Sequence, residues 1–199
     1  MKSKIFLGIA SIAMVAFLSS CDKVPQEKIN AATAVIDSAK TLEADVYVAA
    51  EFTAVQDSMK AVLAEVEVQN SKFFKKFDAC RVKLDQIIAQ GNQVAANAVA
   101  KKTEVKAEVE TLMTEVNTLL DDNKKLMGKA PRGKEGAAVL AQIKTEMTGI
   151  ETSVADAKMM YDNGKYMDAL NKIKAAKESA TNINTELNEA IAKSKGKRK

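Results

Sequence analysis

The 199-residue sequence predicts an all-α protein: an elongated, antiparallel helical bundle with coiled-coil-like packing, about five helices and one long central helix. Two observations support this prediction. Apolar residues recur at alternating steps of three and four, which is the spacing of one face of an α-helix. The chain also contains only two prolines and eight glycines. Because these residues most often interrupt helices, their scarcity favours long ones.

The first segment of the chain differs from this helical pattern. Two lysines precede a mostly apolar stretch of fourteen residues, 5–18, and two serines follow it. This order is typical of a secretory signal peptide. The stretch is shorter than the ~20 apolar residues that a membrane-spanning helix needs. We therefore expect residues 1–20 to be a signal peptide that is removed.

Cys21 follows this segment directly. The sequence Leu18-Ser19-Ser20-Cys21 resembles the lipobox of bacterial lipoproteins, whose cysteine thiol receives diacylglycerol before cleavage just ahead of it. The resemblance implies lipidation of Cys21, a further acyl chain such as palmitate on its amine, and stable anchoring to a membrane. It also implies a body outside the cytoplasm, in the bacterial cell envelope. Ordinary secretion with an unmodified cysteine is the alternative.

Residues 21–26 are predicted to be a lipidated tether, since they contain Pro25 and show no periodicity. The five residues after the cysteine reach at most ~17 Å, so the body must begin close to the membrane. An aspartate such as Asp22 in this position resembles the inner-membrane retention signal of enterobacteria-like lipoproteins, whereas other bacteria use acidic residues there differently. The choice between inner and outer membrane stays open.

The first helices belong to a helical bundle predicted over residues 27–127. Two amphipathic helices come first, at about 26–44 and 49–71, with a short turn between them. Their apolar rows keep the helical spacing. The residues of these rows are Ile29, Ala32, Ile36, Ala39, Phe52, Val55, Met59, Val62 and Val66.

The third helix, predicted over residues 73–127, would be the long central helix. Its apolar row keeps the seven-residue repeat of a coiled-coil seam. The row consists of Phe73, Phe77, Cys80, Leu84, Ile87, Gly91, Val94, Ala98, Val105, Val109, Leu112, Val116, Leu119 and Leu126. We expect continuity because residues 93–105 contain neither glycine nor proline. A hairpin near residues 99–103 is the alternative.

The C-terminal part begins with a loop predicted at residues 128–136, where glycine, proline and charge are concentrated. A helical hairpin follows over residues 137–192. Its turn is expected at Asp-Asn-Gly, where Gly164 suits the left-handed residue after a helix. The apolar rows of the hairpin are Val139, Ile143, Met147, Ile150, Val154, Ala157 and Tyr161, then Tyr166, Leu170, Ile173, Ala176, Ala180, Ile183, Leu187 and Ile191.

Two stretches, residues 42–77 and 162–183, resemble an uncharacterised family of alanine-rich helical envelope lipoproteins. In that family a Tyr-Ala-Pro-Glu-like turn links two helices. Tyr47, Ala50 and Glu51 match the turn, although its proline is absent here. The resemblance implies a helical body in the envelope and supplies no established activity or site residues.

The basic tail, residues 193–199, dominates the charge of the chain. Removal of the signal peptide leaves 28 basic and 26 acidic residues. The tail carries five of the positive charges: Lys193, Lys195, Lys197, Arg198 and Lys199. The rest of the mature chain is then about −3, so nucleic acid is not an expected partner. The tail either contacts an anionic surface, such as lipid headgroups, or is a solvated terminus.

Catalytic chemistry has few candidates in this sequence. The absence of histidine removes the commonest general base and the commonest metal ligand. Asp121 and Asp122 occupy consecutive helical positions that point in different directions, so we interpret them as a solvated face. Cys80 has no partner if Cys21 is lipidated. We expect it to be a buried small hydrophobe, with a reactive thiol or an intermolecular bridge as alternatives.

These observations predict a membrane-anchored, non-catalytic envelope lipoprotein that acts as a helical interaction or structural module. Its body would face the periplasm or the cell exterior. We expect no catalytic, cofactor-binding or metal site, and a protein or the cell wall as partner. The alternative is an envelope enzyme with an unrecognised carboxylate-based site. The oligomeric state stays open.

Overall fold

A computed structural model describes residues 22–196 of the chain; the side chains of residues 134, 135, 195 and 196 lie outside that description. Six helices and no strand occur in this range. The prediction of an all-α protein is therefore confirmed. The chain forms two compact units, one up to Val99 and one from Ala100. This division falls inside the segment 27–127 that the sequence predicts as one bundle.

The first unit contains α1 (Gln26–Thr41), α2 (Ala44–Tyr47), α3 (Ala49–Asn70) and the first part of α4 (Asp78–Lys129). The connection from α1 to α2 passes through Glu43, which has the left-handed φ of 61°. Such a conformation is uncommon for a residue other than glycine. The glycine-free turn expected here thus consists of a left-handed residue followed by a four-residue helix.

The helices of the first unit pack in an up-down-up order. In α1, Lys28 forms an ion pair with Asp85 of α4, and α1 therefore starts beside the start of α4. Helix α3 runs in the opposite direction. Its first residues lie beside the end of the α4 part of this unit, where Asn97 donates a hydrogen bond of 2.7 Å to Glu51. The apolar rows of all three helices meet in one core, which includes Phe52, Val55, Phe77, Leu84 and Ile87.

Cys80 lies in this core with 2% of its surface exposed, and its thiol is free. This confirms the prediction that Cys80 is a buried small hydrophobe. Desolvation raises the pKa of the Cys80 thiol, with a further contribution from the negative charge of Glu65. The reactive thiolate form is thereby disfavoured.

The start of the long helix differs from the prediction. Residues 71–77 connect α3 to α4 without helical structure, and α4 begins at Asp78 rather than at residue 73. Phe73, which the spacing places in the seam, is 86% exposed. The prediction is wrong at this point because the chain reverses its direction here, and a residue in a reversal does not follow the helical face.

Beyond its start, α4 is continuous. It passes through residues 99–103 without the hairpin considered as an alternative, and it ends at Lys129. The loop that follows covers residues 130–133 and is shorter than the predicted 128–136, because α5 already begins at Lys134.

The second unit contains the rest of α4 together with α5 (Lys134–Asp162) and α6 (Tyr166–Gly196). The turn between α5 and α6 includes Gly164 with a φ of 76°, as expected for the residue after a helix. The α5 and α6 helices form an antiparallel pair. In this pair Lys172 forms an ion pair of 2.8 Å with Asp156.

The second unit has its own core, in which Ile143, Met147, Ile173 and Leu187 are buried. Val139 was predicted on the same face but is 47% exposed, since it lies in the first turns of α5.

Asn123 is the polar member of this core, with 0% of its surface exposed. Its amide nitrogen donates a hydrogen bond of 2.8 Å to the carbonyl oxygen of Ala180. Its side-chain oxygen accepts one of 2.8 Å from the amide of Asn184. Because a buried amide is costly unless both its ends are bonded, this geometry favours one register of α4 against α6.

Candidate functional site

The most strongly organised polar site in the first unit is the contact of Asp22 with Phe77 and Arg81, which we name the N-terminal junction. Asp22 Oδ2 accepts a hydrogen bond of 2.8 Å from the backbone N–H of Phe77 and another of 2.8 Å from Arg81 Nη1. Arg81 Nη2 binds Asp22 Oδ1 and also donates to the carbonyl of Lys23 at 3.2 Å. The arginine therefore engages both carboxylate oxygens.

The start of α4 explains this arrangement. The first N–H groups of a helix have no partner within the helix, and its N-terminus favours negative charge. Phe77, whose ring is fully buried, precedes α4 and directs its N–H toward Asp22. Arg81 lies four residues later, which is one helical turn, and so reaches the same carboxylate. A carboxylate from a distant part of the chain thus caps α4.

The two charges of the junction stabilise each other. The hydrogen bond from Arg81 is the largest cause that lowers the pKa of Asp22 to about 2, and the Phe77 N–H is the next. The same contact raises the pKa of Arg81. Their side chains are only 26% and 30% exposed. Asp22 is therefore ionised near neutral pH.

The residues between the junction and α1 are also held in place. Gln26 donates its backbone N–H to the carbonyl of Val24 at 2.8 Å, and Pro25 is buried. The segment 21–26, which the sequence suggests as a tether, is thus bound to the folded unit from Asp22 onward.

The residues predicted to be functional lie mostly at the edges of the described range. Cys21, the predicted lipidation site, lies outside it, as do Lys197, Arg198 and Lys199. Helix α6 continues through the first residues of the basic tail, and Lys193 forms an ion pair of 3.5 Å with Glu189. Lys195 belongs to α6, but its side chain is not among those described.

The paired acids of α4 make local ion pairs. Asp122 binds Lys125 at 2.9 Å, and Asp121 lies 3.9 Å from Lys124. Among the described residues, no group of three or more histidine, cysteine, aspartate or glutamate side chains is arranged to hold a metal ion.

An open groove of about 510 Å³ lies between α5 and α6. Ile150, Ala176 and Ile183 contribute its apolar part. Two exposed glutamates, Glu146 and Glu186, also line it. The three apolar side chains are only 3–5% exposed, so the accessible part of the groove comes mainly from polar, charged and small side chains such as Glu146 and Ser179.

The N-terminal junction was not predicted from the sequence. Asp22 and Arg81 are 59 residues apart, and no local pattern connects them. One signal was present: Arg81 is four residues from Phe77 and three from Leu84, so it lies on the apolar row of the helix. A charged residue on a half-buried face needs a partner, and that requirement could have directed a search for an acid.

The chain was compared with models of protein families, with curated proteins and with solved structures, and none of them matches. Within residues 22–196, no helix is both long enough and apolar enough to cross a bilayer.

Proposed function

We propose that the mature protein is a lipid-anchored, non-catalytic lipoprotein of the bacterial envelope, whose helices present a surface to protein or cell-wall partners. The anchor is Cys21, in the lipobox-like sequence of residues 18–21. The body lies outside the cytoplasm. Coiled-coil-like packing of the helices against the long helix α4 is part of this proposal.

The N-terminal junction is the observation that carries the proposal. Adjacent Cα atoms are ~3.8 Å apart, so a lipid on Cys21 would attach next to Asp22. Asp22 is bound to Phe77 and Arg81. A lipid there would hold the first unit against the membrane surface without a flexible linker. Such a connection suits a module that must be presented close to its own membrane.

The described surface supports an interaction role rather than catalysis. The groove between α5 and α6 is lined by exposed polar and charged side chains, among them Glu146, Ser179 and Glu186. Lys172 in this groove is paired with Asp156. A groove between two helices can receive a peptide or a helix of a partner protein.

The anchor is tested by replacing each of the two cysteines in turn. Cys21→Ala should abolish incorporation of a labelled fatty acid and either release the protein from the membrane fraction or leave its precursor uncut. Cys80→Ala is the matched control, because it removes the other thiol while leaving the lipobox intact; it should remain labelled and membrane-bound. A Cys21→Ala protein that is still processed and still sediments with membranes would contradict the proposal.

The interaction role is tested by crosslinking in the native envelope. A photoreactive residue at Ser179 or Asn182, both in the α5–α6 groove, should capture the same partner, identified by mass spectrometry. The control position is Asp57, an exposed residue of α3. Identical capture from Asp57, or none from the groove, would argue against this surface as the interaction site.

A further inference from the structure

The connection between α3 and α4, residues 71–77, exposes two aromatic rings side by side; we name it the Phe-Lys loop. Phe73 is 86% exposed and Phe74 is 77% exposed, the two highest values among the large apolar side chains that the structure describes. Their ring centroids are 5.0 Å apart, and the rings meet edge to face. Two water-exposed phenylalanines in contact form an apolar patch that is unfavourable in water unless something covers it.

Three lysines flank the aromatic pair in the sequence. Lys72 and Lys76 are exposed, and Lys75 is half-buried, with its ammonium donating a hydrogen bond of 2.7 Å to Asn70. None of these three lysines forms an ion pair within the described part of the chain. Two exposed rings flanked by lysines without ion pairs have the composition of membrane-interface segments, in which rings enter the acyl boundary and lysines meet anionic headgroups.

The N-terminal junction determines where this loop lies. Phe77, the last residue of the loop, donates its N–H to Asp22, which is the neighbour of Cys21. Three residues of chain span at most ~10 Å, so Phe74 lies within that reach of Phe77. The exposed rings are therefore on the same part of the first unit as the end of the chain that carries Cys21.

We infer that the Phe-Lys loop is a second membrane contact: Phe73 and Phe74 enter the headgroup–acyl boundary of the bilayer that holds Cys21, and the three lysines bind anionic headgroups. This inference rests on the proposed lipid anchor. A protein partner would also cover the rings, but continuity with the anchored end and the unpaired lysines favour an anionic lipid surface. The contact fixes the orientation of the first unit, since a lipid and a loop together restrict rotation more than a lipid alone.

The chain contains no tryptophan, and this permits a direct test. Phe74→Trp makes a single-tryptophan protein in which the reporter lies in the loop. The matched control is Met159→Trp, at a position of α5 that is 58% exposed. The lipidated full chain is reconstituted into vesicles of phosphatidylethanolamine and phosphatidylglycerol, with or without bromine on the acyl chains, and is recovered by flotation.

In these vesicles the emission of Phe74→Trp should shift to shorter wavelength and be quenched by the brominated chains, whereas Met159→Trp should keep a water-like, unquenched emission. The quenching should decrease when the Phe74→Trp protein also carries Lys72→Gln, Lys75→Gln and Lys76→Gln. Each lysine at an anionic surface contributes about fivefold to binding, so their loss should be visible.

Each opposite result has a distinct meaning. Phe74→Trp protein that floats with the vesicles but stays water-like and unquenched overturns the loop contact and leaves the anchor intact. An equal shift without vesicles shows that the rings are covered by protein and also overturns the inference, as does equal quenching of Met159→Trp. Protein that does not float contradicts the lipid anchor, and the loop contact fails with it.

Discussion

Asp22 is a single side chain that holds the first described residues of the chain against the start of α4. It connects residue 22 to α4 through the backbone of Phe77 and the guanidinium of Arg81. A carboxylate that accepts three or more hydrogen bonds from such donors is stabilised in its charged form. Its contribution to stability must therefore depend on pH.

We expect the stabilising effect of Asp22 to disappear in acid. Its pKa is lowered from 3.8 to about 2 in the folded protein. The contribution is therefore fully present above the unfolded value of 3.8 and is lost as the pH falls through about 2. The melting temperature of the wild type should be higher than that of Asp22→Asn at neutral pH. This difference should disappear between pH ~4 and ~2.

The control for this pH series is Asp57→Asn. Asp57 makes a local ion pair with Lys60, and its side chain is 62% exposed. Because exposed pairs contribute little, this variant should unfold close to wild type throughout. A gap for Asp22→Asn that is constant from pH 7 to pH 2 would show that the junction does not stabilise through its charge.

Asn123 should contribute more to the stability of the fold than an exposed asparagine does. Asn123→Ala removes the donor to the Ala180 carbonyl and the acceptor for Asn184, both inside the core of the second unit. Urea unfolding should give a free energy of unfolding lower by about 1–3 kcal/mol. Asn117→Ala, at an exposed position of the same helix, should change it by less than about 0.5 kcal/mol. Equal effects would mean that the buried bonds contribute nothing beyond the helix itself.

At the scale of the helices, α4 contains one glycine in the first unit, Gly91, and a larger residue would not fit there. A Cβ on Gly91 would lie 2.6 Å from Cγ1 of Val35 on α1. That separation is far inside van der Waals contact, and valine in a helix has little freedom to rotate away. Gly91 is thus a place of close approach between α1 and α4.

This close approach predicts opposite signs for two glycine substitutions. Glycine to alanine inside a helix ordinarily stabilises by up to ~1 kcal/mol. Gly149→Ala in α5, where a Cβ would meet nothing within 4 Å, should show that gain. Gly91→Ala should instead lower the melting temperature, measured by circular dichroism. Stabilisation by both substitutions would show that α1 moves away from α4 without cost.

At the scale of the whole chain, two compact units share the continuous helix α4. Each unit has its own buried apolar residues, such as Phe77 and Leu84 in the first and Ile173 and Leu187 in the second. Separate cores allow local opening of one unit at a free energy below that of global unfolding.

Leu112→Asp should therefore affect the two units unequally. Leu112 belongs to the second unit and is only 8% exposed, so an unpaired charge there should cost several kcal/mol. Hydrogen exchange should show a larger loss of protection in α5 and α6 than in α1 and α3. Thr111→Asp, an exposed neighbour on α4, is the control and should leave protection nearly unchanged. An equal loss in all helices would identify a single cooperative unit.

Much of the secondary structure could be predicted because helical periodicity is a local property. The recurrence of apolar residues and the scarcity of proline and glycine were sufficient for the all-α class, the burial of Cys80 and the turn at Gly164. Val139 and Phe73 were misplaced because spacing alone does not tell where a helix begins or a chain reverses.

The partners of these helical faces follow from tertiary packing. Asp22 meets Arg81 across 59 residues, and Asn123 meets Ala180 across 57. A face that repeats every three to four residues is equally compatible with many neighbours, so the pattern contains no information on which one it meets. The choice comes from side-chain packing and from the need of buried polar groups for partners, which arise only when distant segments come together.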